Sequence, residues 1–168
     1  MLRIQKVVKA QVVTAADLKL GCRAILLLFR IPHTLEAGSL ALLVEVVDSL
    51  IFELLSQVTA GNDKCRQDLR EAGELVTLVL GECSKRNRSA ILEGCLDMLA
   101  GATINTNLPV WLRTMCIKEL NTLLVKAKKE EKSLVWEKLN MKVEALFSFI
   151  FTCGVYDSQA AAVELMFR

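Results

Sequence analysis

The chain has 168 residues, 53% of them apolar and 24% charged, with a net charge of +2. A chain of this size buries roughly 70% of its unfolded surface, which suits a compact core and excludes a disordered tail. The near-neutral balance excludes a globally basic nucleic-acid surface, and 5% aromatics with 8 Gly and 2 Pro punctuate too thinly for an all-β fold.

Helices are therefore the expected elements, about nine of them. Leu2, Ile4, Val7, Val8 and Val12 recur at helical spacing and predict a first helix over residues 1–13. Arg3, Lys6 and Lys9, with no acid before Asp17, also give this stretch the charge pattern of a mitochondrial presequence, although it has no serine. Thr14 and Asp17 form a capping-box pattern for a second helix reaching Phe29 or Arg30. Pro32 breaks the chain, and Thr34 or Ser39 starts a third helix that ends near Thr59-Ala60-Gly61. From Ser39 to Val58 the residues Glu45, Asp48, Ser49, Glu53 and Ser56 share an arc of about 140°, so this apolar stretch is amphipathic and not a membrane span.

Asn62 or Asp63 then caps a short fourth helix stopped by Gly73, and a fifth covers Glu74 to Glu82. A short helix, a glycine turn and the apolar set Leu75, Val76, Leu78 and Val79 is the pattern by which armadillo repeats join successive helices. A sixth helix runs from Ser89 to Leu99, and a loop covers Gly101 to Leu108. Pro109 suits the first turn of the next helix. From Pro109 onward no further Gly or Pro occurs up to Cys153, but a single helix of that length is too long for so small a domain. Breaks are expected near Lys126 to Lys132 and near Asn140, and the last helix starts at Asp157 or Ser158. The expected fold is all-α: a short, irregular armadillo/HEAT-like α-solenoid, with a plain helical bundle as the alternative.

On that last helix Val163, Met166 and Phe167 form one side. This side is expected to pack against the helix of Leu146, Phe149, Ile150 and Phe151, with Gly154 allowing the reversal. Phe167 is expected to stay partly exposed and to promote weak self-association.

Catalytic chemistry has little support. His33 is the only histidine, which excludes a metal cage with two imidazoles, and its place beside Pro32 reads as a turn residue. Glycines stand isolated, so no phosphate-cradling loop exists. The cysteines Cys22, Cys65, Cys83, Cys95, Cys116 and Cys153 are too far apart for a metal knuckle and mostly have apolar neighbours, as reduced core residues do. No catalytic residue, cofactor or metal is expected. Two basic clusters are the candidate partner-binding residues: Lys85, Arg86 and Arg88, and then Lys126, Lys128 and Lys129. Glu130 and Glu131 interleave the second cluster and no aromatic platform sits in either, so they point to a protein partner and not to nucleic acid. Reversing the charges of Lys85, Arg86 and Arg88 is expected to weaken partner binding.

From about Leu42 onward the chain resembles the N-terminal armadillo-like domain of the synaptonemal complex protein 2 family, including its 2-like paralogue. The resemblance is strongest in Gly154-Val155-Tyr156-Asp157-Ser158-Gln159-Ala160-Ala161-Ala162-Val163-Glu164-Leu165-Met166-Phe167-Arg168, where Gly154, Tyr156, Asp157, Gln159, Val163, Glu164 and Arg168 match the family pattern. Upstream, Asn121, Leu124 and Lys126 fall at the family's offsets with about one residue of slippage. Residues 1–40 do not match and read as an atypical start of one domain covering 1–168. The resemblance implies a docking module of the lateral elements of meiotic chromosome axes. It would act in the nucleus, with chromosome-axis or centromere-associated proteins as partners. Family chains continue into a pleckstrin-like domain, a disordered region and a coiled coil, so this chain reads as a fragment to which only docking carries over. A generic armadillo or HEAT adaptor of cytoplasm or nucleus remains the other reading, and a mitochondrial helical protein a third.

Overall fold

A computed structural model describes residues 14–30, 37–59, 66–140 and 143–168. Among them every regular element is a helix. These are α1 (Ala15–Phe29), α2 (Ala37–Thr59), α3 (Arg66–Ile104), α4 (Val110–Leu124), α5 (Lys129–Asn140), α6 (Val143–Thr152) and α7 (Tyr156–Met166). The all-α expectation is met. The predicted first helix, the Pro32–His33 break and Cys65 lie outside the described residues. The chain divides into two compact units, Met1–Lys85 and Arg86–Arg168.

In the first unit, α1 begins where its sequence directs. The Thr14 hydroxyl accepts from the Asp17 amide at 3.3 Å, and the Asp17 carboxylate accepts from the Thr14 amide at 2.9 Å. These bonds hold the Asp17 carboxyl below its ordinary range. Ala15, Leu18, Cys22 and Ile25 make one buried stripe, and α1 packs on α2. On α2 the core side is Val47, Leu50, Ile51 and Leu54, opposite the predicted polar arc. Lys19 of α1 reaches α3 through Asp68 at 2.6 Å and Glu71 at 3.1 Å.

Gly73 does not end a helix. It lies inside α3, which corrects the predicted glycine turn and removes the armadillo-type joint at this point. The physical reason lies in the flanking side chains. Leu69, Ala72, Val76, Val79, Leu80 and Cys83 form one buried stripe in unbroken phase across Gly73. A mid-helix glycine costs only about 1 kcal/mol relative to alanine, less than such a stripe contributes. The real interruption is Asn87, whose φ of −153° and ψ of 90° leave the helix. Its Oδ1 accepts from the Ala90 amide at 3.1 Å, so asparagine caps the helical run that follows. The predicted fourth and fifth helices are thus one helical run, whereas the break expected between Glu82 and Ser89 stands at Asn87; the run after it ends at Ile104, past the predicted Leu99.

In the second unit, Pro109 stands just before α4, its carbonyl accepting from Leu112 at 3.1 Å and Arg113 at 3.2 Å. The chain breaks between Leu124 and Lys129 as the spacing predicts, and again after Asn140. At the first break the Lys128 amide donates to Glu131 at 2.6 Å and caps α5. Val135 and Leu139 are buried, and Lys138 pairs with Asp97 of α3 at 2.8 Å. Gly154 reverses the chain between α6 and α7 at φ +67°, a conformation that strains other residues.

Candidate functional site

α4 is the centre of the second unit. Leu112, Arg113, Thr114, Cys116, Ile117, Glu119, Leu120, Asn121, Leu123 and Leu124 are all buried, so nearly the whole circumference is covered. Four of these are polar, and three take partners from neighbouring elements. Arg113 donates through Nε to the Thr103 carbonyl at 2.9 Å and through Nη2 to Ala145 at 3.4 Å, with its guanidinium 4.2 Å above the Phe149 ring. Thr114 and Ser158 share a hydrogen bond of 2.7 Å, and Asn121 donates to the Ala161 carbonyl at 2.8 Å. The Asn121 Oδ1 is buried without a donor. Burial lifts the Glu119 carboxyl to about 7 and the Cys116 thiol to about 12. A thiol held that high is a core residue and not a nucleophile.

α7 is built the other way round. It packs on α4 and α6, but the side turned inward is Ser158, Ala161, Ala162 and Leu165. This corrects the expectation that the side of Val163 and Met166 packs inward: Val163 faces solvent and Met166 is half-buried, while Phe167, expected to stay partly exposed, is 85% exposed. Small side chains at Ser158, Ala161 and Ala162 let α7 approach α4 closely enough for Asn121 to reach the Ala161 carbonyl and for Thr114 to meet Ser158. Leu165 is the large apolar group turned inward, and Tyr156 and Val163 are left outside. Phe147, Phe151, Val155 and Tyr156 are also exposed, Phe151 and Tyr156 at 80% each.

The residues behind the family resemblance fall into two groups. Gly154 makes the turn, Gln159 donates to the Ile150 carbonyl at 2.7 Å, and Glu164 receives Asn121 at 3.4 Å and also pairs with Arg168. Tyr156, Asp157 and Val163 lie on the surface.

The basic clusters are placed less simply. Lys85 pairs with Glu82 at 2.5 Å, within the first unit. Arg86, Lys126, Lys128 and Lys129 are exposed and Arg88 is half-buried, all in the second unit. Arg88 and Lys128, read separately in the sequence, converge on Glu131. The Ser89 hydroxyl, the Lys128 amide and these two charges together lower that carboxyl. An internal carboxylate thus already offsets charge where the clusters meet, which weakens them as an anion site. Among the described residues no three His, Cys, Asp or Glu side chains group as metal ligands. No described helix is long and apolar enough to cross a membrane. Four described cysteines are buried and Cys153 is half-buried.

The outward aromatic surface of α6 and α7 is therefore the main candidate site. Helical periodicity points to it, since residues 156, 160, 163 and 167 share one side of a helix; only the packing tells which side is inside. No protein-family model, curated protein or solved structure matches this chain.

Proposed function

We propose that this chain is a non-catalytic protein-interaction module on a stacked-helix scaffold, serving the meiotic chromosome axis in the nucleus. One observation carries the docking part: six large apolar residues, Phe147, Phe151, Val155, Tyr156, Val163 and Phe167, point outward from two packed helices. Clustered exposed aromatics mark protein-binding surfaces, because they bury much area for little lost rotamer entropy. Support for the meiotic part is the resemblance of Gly154 to Arg168 to the synaptonemal complex protein 2 family. The non-catalytic part is supported by the single histidine and the isolated glycines.

The test is a tagged chain expressed in meiotic cells, imaged on spread chromosomes and purified with its partners. Signal along chromosome axes, with axis or centromere-associated proteins co-purifying, is the expected result. A stable partner recovered only from cytoplasm would point to an adaptor unrelated to meiosis. Cleavage of the first 20 or so residues with mitochondrial signal would overturn both.

A further inference from the structure

The direction of the exposed residues on α6 follows from its hydrogen bonds. The Ile150 carbonyl receives Gln159 of α7 at 2.7 Å, whereas the Ala145 carbonyl receives Arg113 of α4 at 3.4 Å. One flank of α6 thus meets α7 and another meets α4. At about 100° per residue, Phe147 lies toward the Ile150 flank and away from Ala145, and Phe151 lies between the two flanks, opposite the buried Leu146 and Phe149. Both rings stand on the outward side of α6, Phe147 nearer to α7. On α7, Tyr156, Val163 and Phe167 lie opposite the buried row Ser158, Ala161, Ala162 and Leu165, on the outward side. The two rows make one apolar strip, closed at the turn by Val155.

Charge around this strip is negative on balance. Residues 143–168 carry Glu144, Asp157 and Glu164, all exposed, against Arg168 alone. Arg168 is already paired with Glu164. Glu144 stands on the α6 side of the strip and Asp157 on the α7 side, so an occupant meets carboxylates along both edges. The 10 residues of α6 span about 15 Å, which suits a short helix anchored at positions i, i+3 or i+4, and i+7. A second copy of the chain would bring the same carboxylates face to face, which charge repulsion disfavours.

We propose that the α6–α7 strip docks one amphipathic helix of a partner protein, its apolar row flanked by Lys or Arg. This rests on the reading of the chain as an interaction module and names the chemistry of the partner. Phe151 and Tyr156 are the anchors, and Glu144 and Asp157 set the sign of the partner.

The probes are fluorescent synthetic helices of about 18 residues, with a leucine row flanked by lysine, the same row flanked by glutamate, and a scramble of the lysine peptide. The lysine helix binds the full chain at least about tenfold tighter than the other two, and protects residues 147–167 from hydrogen exchange. Phe151→Ser with Tyr156→Ser weakens it by about tenfold while helicity by circular dichroism stays unchanged. Glu144→Lys with Asp157→Lys reverses the preference toward the glutamate helix. Equal affinity for all three helices overturns the proposal, as does the absence of saturable binding. Dimerisation lost in the Phe151→Ser, Tyr156→Ser variant overturns it too, because the occupant is then a second copy. Protection confined to another surface overturns this site but leaves the docking reading standing, which the chromosome and partner experiment decides separately.

Discussion

α4 hides charge and α7 displays aromatic rings, although the two helices pack against each other. Position explains the inversion. α4 is covered on nearly every side, so Arg113, Thr114, Glu119 and Asn121 are buried whatever their polarity. Three of them recover hydrogen bonds from the Thr103, Ala145 and Ala161 carbonyls and from Ser158. α7 packs on α4 and α6, and its contact side is filled by three small residues and Leu165. Burial in this unit follows neighbours more than hydropathy, and an outward apolar face is the result.

The comparison breaks first at Arg113. Arg113→Ala removes two hydrogen bonds and the stacking on Phe149, and leaves a void among α3, α4 and α6. A loss of about 3 kcal/mol in urea unfolding is expected. A loss below about 1 kcal/mol would mean that the buried guanidinium is incidental to the fold.

Glu119 tests the same helix through pH. Burial raises its carboxyl from 4.5 to about 7, so the folded state holds a proton that the unfolded state has released across that window. Stability is therefore full below about 4.5 and falls as pH rises through 7, where the buried group must carry charge. Glu119→Gln is expected to flatten this dependence and to raise stability at pH 8 by about 2 kcal/mol. Parallel melting curves of both proteins at pH 5 and pH 8 would remove Glu119 from the account. For the inward side of α7, Ala162→Leu should destabilise by about 2 kcal/mol, since Ala162 is wholly buried.

A smaller effect is expected between α4 and α7. The Thr114 hydroxyl has one proton and two oxygens in reach, Val110 O at 2.8 Å and Ser158 Oγ at 2.7 Å. If it donates to Val110, Ser158 must donate to Thr114. A double-mutant cycle of Thr114→Val and Ser158→Ala should give a coupling of about 1 kcal/mol. Additive losses would place the two hydroxyls in separate networks.

What was legible in the sequence was local. The Thr14–Asp17 box, the break before Lys129 and the Gly154 reversal each depend on a few adjacent residues, and each stands where the sequence places it. Gly73 misled because a glycine signals a turn only when the flanking apolar pattern changes phase, and here it does not. The break between Glu82 and Ser89 was legible, and within it Asn87 supplies the cap, an asparagine three residues ahead of the amide that it accepts from. The convergence of Arg88 and Lys128 on Glu131 joins residues about 40 positions apart, beyond any periodicity. The candidate surface was half legible: an exposed Phe167 was expected, but its partners on the outward side of α7 depend on which side α4 covers.

The smallest expected effect sharpens the comparison most. Phe167 is 85% exposed, and its amide, donating to the Glu164 carbonyl at 3.1 Å, keeps that bond whatever the side chain. Phe167→Ser should therefore change unfolding free energy by no more than about 0.5 kcal/mol, as should Tyr156→Ser. Binding of a hydrophobic dye to the folded protein should fall in both variants, since each removes aromatic surface already facing water. A loss of more than about 1 kcal/mol would show that these rings are packed in solution, with α7 turned so that its large residues face α4. The inward row of Ser158, Ala161 and Ala162 would then be the outer surface, and the contrast between the two helices would vanish. Unchanged stability with reduced dye binding is the outcome that fits a helix held by its small residues and its hydrogen bonds, its rings free for a partner.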